Sequence, residues 1–569
     1  MSHEVATIKG NLNEERCFTA PLRIWEFVFL FVFAAGIIGA ACWQSSKSYL
    51  SNDELVTAVV VSNPHFSEMW NAIRHGGELN PPLFFVIEWV VAQTLGSSDL
   101  ALRIIPVVSL ALAGWVLFFT LRPLTGPRIA AVAVTLILGL SRELFHFLVF
   151  ARYYGVLLML VSCAGFLALR VTDARPRRRD CFLTFLVYLA LAYLHLYGLL
   201  YGGAILAAML VADCFRGTTR WRLYASVMAA WLAFAPWVPS MRQQLKSISG
   251  GVYTPPGYLD LGFFFDDIAL QTPLAVVILL IAALAVLSLL SPRPTRITEE
   301  AKACSDPLSW RAMGLIALAL MAVPCATWTA SHFLNPPPYM TRYNFPILAG
   351  WVYIFGLILA GLHRLPRMEP ETTEARVPAA EADRISKGAR HSTVAWLCIL
   401  AWLGVLAFCM FFQPVRALKS PPRPATPFVD ADFGYTNLPV IFENSLHYLP
   451  RAWYGHGREY ALIIDHDAAE ADPGWYTKNM DREFKAFAPK YDKLVILRFD
   501  NLPDWPSGFL AVDDDYTKTW EWIFAHHVEL KPQLLGTRMC DQPLFGQQRV
   551  YLVRKASEAA DKAQNPSPN

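Results

Sequence analysis

Residues 25–54 read WEFVFLFVFAAGIIGAACWQSSKSYLSNDE. Most of this stretch, 25–43, is a nearly unbroken apolar run. A helix that crosses the hydrocarbon core of a bilayer needs about 20 such residues. The run is not followed by a small-residue cleavage motif, so it reads as a retained anchor and not a removed signal. About ten residues past its end stand two adjacent acids, Asp53 and Glu54. The stretch therefore reads as a span that leaves the membrane and delivers a carboxylate pair close to the interface, where desolvating a charge is costly.

The same apolar signature recurs at 104–121, 129–140, 154–169, 182–196, 199–211, 224–238, 274–290, 313–330, 345–362 and 394–412. Hydropathy thus predicts a polytopic α-helical membrane protein with about eleven transmembrane helices. Composition agrees, since 54% of the 569 residues are hydrophobic and only 17% are charged. The net charge of +3 gives no nucleic-acid footprint, because the basic residues fall in short clusters between apolar runs. No nucleic-acid partner is expected. Ten cysteines do not make a disulfide framework. Cys163, Cys325, Cys398 and Cys409 lie inside apolar runs, and Cys540 is the only one in the C-terminal polar region.

Basic clusters set the topology. With residues 1–23 in the cytoplasm, Arg122 and Arg128, Arg175 to Arg179, Arg216 to Arg222, Arg293 and Arg296, and Arg364 and Arg367 all fall on the cytoplasmic side. This holds if 81–95, which is short and carries Glu88, lies as a helix on the outer surface. It also makes 182–211 a hairpin whose tip, His195-Leu196-Tyr197-Gly198, faces outside. The module 24–368 is then followed by a disordered cytoplasmic linker, 369–392, rich in Ala, Glu and Arg. A last span at 393–413 leads to an outer domain, 414–569. There, apolar runs at 438–442, 460–464, 493–498 and 550–553 read as strands, and 479–487 and 516–526 as helices, which predicts a small α/β domain.

Within this topology several polar motifs share the outer face. Asp53-Glu54 alone also suits a helix N-terminus, where acids are favoured. Asn80-Pro81-Pro82-Leu83-Phe84 alone is a helix start. Arg152-Tyr153-Tyr154 and Arg342-Tyr343 each place an arginine at a span edge, where snorkelling would also put one. His195 and Tyr197 sit on the hairpin tip. Together they supply a base and several cations on one side of the membrane, the set needed to transfer a group from a lipid phosphate. Asp465-His466-Asp467 is a possible divalent site, but its spacing fits a strand-end polar loop better, so no metal or other cofactor is implied.

Taken in order, these motifs resemble the GT-C superfamily of membrane glycosyltransferases. The likeness is to the bacterial relatives of the dolichyl-phosphate-mannose protein mannosyltransferases (glycosyltransferase family 39), which include lipopolysaccharide-core galacturonosyltransferases and the lipid A aminoarabinose transferase. It covers roughly 25–362. Many relatives carry His or Lys where Asn80 stands here. The resemblance implies a GT-C fold with a C-terminal periplasmic α/β domain in a bacterial inner membrane. It implies an inverting transfer of sugar from a polyprenyl-phosphate donor to an acceptor hydroxyl on a cell-envelope glycan, lipid or protein.

On that basis Asp53 is expected to be the general base, with Glu54 orienting it or holding the acceptor. Arg152, Arg342 and His195 would bind the donor phosphate. Asn80, Tyr153, Tyr197 and Tyr343 would line the substrate site. A lipid-linked sugar transporter or flippase would instead show repeats and ionisable residues at span centres. An oligosaccharide polymerase and a non-catalytic lipid binder remain alternatives.

Overall fold

The computed structural model describes residues 21–248, 307–364 and 433–555, apart from short internal stretches. The first part is helical: α1 (Ile24–Ser45), α2 (Asn52–Val61), α3 (Phe66–Arg74), α4 (Leu83–Leu95), α5 (Ile104–Thr125), α6 (Pro127–Leu140), α7 (Tyr154–Arg170), α8 (Arg178–Leu194), α9 (Leu196–Arg216), α10 (Trp221–Ala233) and α11 (Val238–Ile248). Two more follow, α12 (Pro307–Ala330) and α13 (Ile347–Arg364). Among the described residues, five helical stretches are long and apolar enough to cross a membrane, including α1, α9 and one formed by α5 with the short turn before it. Shorter apolar helices include α6, α7 and α13. The chain is a multi-pass membrane protein. Two expected spans, 274–290 and 394–412, and the linker 369–392 lie outside the described residues.

The bundle is built on α5, which lies against α7, α6 and α1. Small residues let the helices close up: a Cβ on Gly155 would stand 2.3 Å from Pro106 O, so α7 can sit directly on the α5 backbone only with glycine there. The hairpin between α8 and α9 turns at His195, whose extended backbone (φ −163°, ψ 148°) breaks the helix while its Nδ1 caps α9. A Cβ on Gly198 would meet Leu191 O at 2.1 Å, so the tightness of this turn depends on glycine. At the opposite end of these helices, Arg220 is 1% exposed and pairs with Asp213 at 2.9 Å. It also donates to Ala168 O at 3.0 Å and to Val171 O, closing carbonyls that α7 leaves open at its C-terminus.

Helix α4 covers the stretch expected as a surface helix over 81–95. It starts after the two prolines and packs on α2. Trp89 Nε1 and Gln93 Nε2 both donate to Asn63 O, at 2.8 and 3.1 Å. Glu88, read as a mark of exposure, is fully buried, and burial raises its carboxyl well above the usual carboxylate range.

The C-terminal part is a six-stranded mixed sheet of β1 (Val440–Phe442), β2 (Tyr460–Ile463), β3 (Ile496–Leu497), β4 (Phe509–Asp514), β5 (Leu530–Met539) and β6 (Gln547–Lys555). Its order is β3-β2-β1-β4-β6-β5. The first four strands run parallel, with Ile441 opposite both Ala461 and Ala511, and β6 is antiparallel to β4 and β5. Helices α14 (Ser445–Tyr454), α15 (His466–Ala471) and α16 (Thr519–His526) complete it. One sheet face, with Phe442, Leu510 and Val512, shares a continuous apolar core with α14 and the helical bundle. The other, with Ile441 and Ala511, packs on Trp520 and Ile523 of α16. Strands β4 and β5 were not expected from sequence. The helix expected over 479–487 falls largely outside the described residues.

Arg220→Ala would leave Asp213 buried without its partner and is expected to destabilise the bundle by about 3–5 kcal/mol. A thermal melt of the purified protein in detergent measures this, and an unchanged midpoint would remove Arg220 from the framework.

Candidate active site

The acidic motif opens α2. Ser51 is the N-cap, and Glu54 turns back to accept from Ser51 N at 2.7 Å. The other oxygen of Glu54 accepts from Ala151 N at 2.6 Å and faces Arg103 Nε at 3.5 Å. Glu54 is thus 2% exposed with both oxygens engaged. Sequence suggested that it orients Asp53 or holds the acceptor. The geometry gives it a different task, tying the start of α2 to the segment just before Arg152. Arg103, absent from the sequence assignment, donates to Ser48 O at 3.2 Å and Tyr49 O at 3.1 Å and so fixes the chain leading into α2. It had a legible signal, since it is an arginine on the side that the positive-inside rule leaves sparse.

One turn beyond Glu54, Arg152 reaches across α2. Its Nη1 donates to Asp53 O at 3.0 Å, Thr57 Oγ1 at 2.6 Å and Glu78 Oε1 at 2.6 Å. Arg152 and Glu78 are 6% and 5% exposed, so this is a buried, matched pair. Arg152 was expected to hold a phosphate, but the structure commits this Nη1 to protein acceptors. Glu78 is held in turn from α11, where Gln244 Nε2 donates to Glu78 O at 2.9 Å and Ile73 O at 3.2 Å. Nothing local in the sequence announces Glu78, because its partner stands 74 positions away. Asn80, two residues on, is buried in the turn before the prolines.

Arg342 comes from the other side. Tyr197 of α9 donates its hydroxyl to Pro338 O at 2.5 Å, and Tyr201 donates to Asn344 O at 3.2 Å. These bonds pin residues 338–344 to the hairpin. Arg342 Nη1 then meets Asp53 Oδ2 at 2.6 Å, with the two side chains 38% and 40% exposed. Rings join the motifs behind this pair: His195 lies 4.4 Å from Tyr153 and 4.6 Å from Tyr343, and Phe84 lies 6.0 Å from Tyr153. Tyr153 and Tyr197 are buried and Tyr343 is partly open. All five motifs therefore converge on one place.

Electrostatics separate the roles. Burial alone would raise the Asp53 carboxyl, but the Arg342 and Arg152 guanidiniums outweigh it and hold Asp53 below its ordinary value. Asp53 is a carboxylate at any physiological pH. Burial, together with Arg152 and Arg342, pushes His195 down to about 3. Its Nδ1 accepts from Tyr197 N at 3.0 Å, so the proton sits on Nε2 and the ring is a neutral donor. His195 was expected to assist phosphate binding, and it would do so without charge. Among the described residues, no group of three or more His, Cys, Asp or Glu is placed to hold a metal ion. Asp465 instead caps α15 through Ala468 N at 2.9 Å, and His466 contacts Asp481 at 3.2 Å.

The chain resembles crystal structures of ArnT from Cupriavidus metallidurans. It is 13% identical to the apo form with a TM-score of 0.51, covering 94% of this chain and 98% of that one. The chain shares the fold of that apo structure. The same ArnT bound to undecaprenyl phosphate aligns over the same shares at 14% identity and a TM-score of 0.47. No family model and no curated protein matches the sequence. Within this fold, and among the described residues around α2, Asp53 and Arg342 are the half-exposed members of an otherwise buried charge array.

That contrast makes a stability prediction. Glu54→Gln strips the counter-charge from buried Arg103 and is expected to cost about 3–5 kcal/mol. Asp53→Asn breaks a half-exposed pair and is expected to cost about 1 kcal/mol or less. Parallel thermal melts should rank them in that order, and equal losses would contradict the assignment of Glu54 as the structural acid.

Proposed function

We propose that this protein is an inverting glycosyltransferase that moves a sugar from a polyprenyl-phosphate donor to an acceptor hydroxyl on the outer face of a bacterial inner membrane. The observation that carries the reading is the Asp53–Arg342 pair, 2.6 Å apart and about 40% open, beside two arginine–acid pairs that are buried. A half-exposed ion pair contributes little to stability. It can therefore open for a ligand whose two ends match it, with an anion taken by Arg342 and a hydroxyl by Asp53.

The chemistry follows from the positions. The acceptor oxygen attacks the anomeric carbon while Asp53 takes its proton. The bond from that carbon to the phosphate oxygen breaks, and the polyprenyl phosphate leaves with the electron pair. Arg342 meets the growing charge, and neutral His195 adds a hydrogen bond through Nε2. A carboxylate held low by a neighbouring arginine is a poor base. Engagement of Arg342 by phosphate relaxes that hold and makes Asp53 more basic once donor is bound. Arg152, Glu54 and Glu78 keep Asp53 in place, and Asn80, Tyr153, Tyr197 and Tyr343 form the wall around the sugar.

The test offers the purified protein a panel of radiolabelled undecaprenyl-phosphate sugars with a bacterial membrane extract as acceptor. The wild type should release undecaprenyl phosphate from one sugar. Asp53→Asn should slow that release by roughly 10²- to 10⁴-fold. Equal release by both proteins would remove Asp53 as the base.

The pH dependence gives a second check. The acid limb of kcat/KM should lie below the ordinary aspartate value of about 3.9, because Asp53 must be ionised and its arginines keep it so. Arg342→Gln deletes the strongest of these influences and leaves burial, which acts upward, so the limb should move to higher pH. A limb that stays put or falls would show that Asp53 is not the group being titrated. No limb near 6.5 is expected from His195, which is neutral throughout that range.

A further inference from the structure

Helix α14 has its two ends fixed in different parts of the molecule. At its N-terminus, Asn444 accepts from Leu446 N at 3.0 Å and donates its amide to Asp514 Oδ2 at 2.7 Å. Asp514 Oδ1 accepts from Thr517 N at 2.9 Å, and Glu443 accepts from Asp514 N and Trp520 N, both at 2.8 Å. These residues stand at the carboxyl ends of β1 and β4, where the strand order reverses and where open α/β sheets commonly bind ligands. Here the acids are spent on the domain's own amides. Burial and the neighbouring Asp513 and Asp514 drive Glu443 well above the carboxylate range, so it holds its place as a neutral acid. The arrangement locks the root of α14 to the sheet.

The other end reaches the helical bundle. Tyr454, the last residue of α14, accepts from Leu50 N at 3.0 Å and donates to Asp99 Oδ2 at 3.0 Å. Its ring lies 4.8 Å from that of Tyr49. Helix α14 also packs along α2. Leu50 immediately precedes the N-cap of α2, and on the other side Arg103 holds the carbonyls of Ser48 and Tyr49. The link into the Asp53 helix is thus clamped between an arginine of the bundle and a tyrosine of the C-terminal domain. A ten-residue helix spans about 15 Å; Pro450 removes one rung of its ladder, but Arg451 Nη1 donates to His447 O at 2.8 Å and residues 447–451 are buried, so the helix carries the position of the sheet to Tyr454.

We infer that α14 is a strut by which the C-terminal domain sets the position of the Asp53 helix, with the Tyr454 hydroxyl as the positioning group. The kinetic consequence rests on the transferase reading, and the structural one does not. Two assays on the full-length protein in detergent separate them. Tyr454→Phe keeps the ring against Tyr49 and removes both hydrogen bonds. Amide hydrogen exchange in peptides covering 49–61 should accelerate, while peptides from α5 and α7 stay as in the wild type.

With whichever radiolabelled undecaprenyl-phosphate sugar the wild type consumes, kcat should fall about tenfold, with the donor KM within about twofold and the melting temperature unchanged. His466→Ala, an exposed change in the same domain, should alter neither readout. Unchanged exchange at 49–61 overturns the strut whatever the turnover. Faster exchange with full kcat overturns the positioning role, and so does a kcat loss matched by a fall in melting temperature. Full turnover by Asp53→Asn would sink the assignment of the base instead, and the exchange result would still decide the strut.

Discussion

A buried carboxylate must be given partners, and the partners of Glu54 assemble the site. Its two oxygens receive Ser51 N, Ala151 N and the edge of Arg103. One side chain thereby joins the N-terminus of α2, the segment leading to Arg152 and the start of α5. Without that junction, the spacing of Asp53 and Arg152 would rest only on the bonds from Arg152 Nη1 to Asp53 O and Thr57 Oγ1. Leaving such a group unsatisfied is costly at low dielectric, so it enforces geometry more strictly than apolar packing does. Glu54, expected from sequence to orient Asp53 or hold the acceptor, joins three segments in three dimensions.

The charges around this junction are ordered by exposure. Arg103 with Glu54 and Arg152 with Glu78 lie inside, at 7% exposure or less, and Arg342 with Asp53 lies half open. Three cations against three anions leave the array balanced, so no charge here has to be neutralised by a ligand. Buried pairs are hard to separate because breaking one strands the other. The open pair exchanges partners at low cost. An array with two fixed pairs and one labile pair can present a single acid and a single cation to a substrate while holding both in register.

Much of the site was legible because its motifs follow from topology. The arginines of the positive-inside pattern assigned sides, and the acids, arginines and histidine left on the other side proved to be neighbours. The bundle helices were legible for the same reason, since 104–121, 154–169 and 199–211 each carry an apolar run that falls on α5, α7 and α9. Glu78 and Gln244 were not legible. Each acts through a partner far away in sequence, and neither sits in a pattern that spacing can detect. The bond from Arg152 Nη1 to Glu78 was hidden for a related reason: an arginine at a span edge has the same sequence signature whether it faces a ligand or is matched by a buried acid. Strand β4 escaped because Phe509–Asp514 ends in two adjacent acids, yet all six residues are buried, with Glu443 accepting from Asp514 N and Arg549 pairing with Asp513.

The C-terminal domain bears on the same constraint from outside. The Asp53 helix is short, but residues 54–61 are all buried, so its position is set by the elements packed around it. The bundle supplies Arg103 and Arg152 from below. Helix α14 supplies Tyr454 from above, and the apolar core shared by α14, one sheet face and the bundle keeps the two parts from moving independently. The acids at the head of the sheet then make sense as anchors. A strut transmits position only if its root is rigid, and the groups that would hold a ligand in other sheets of this kind are here committed to holding α14.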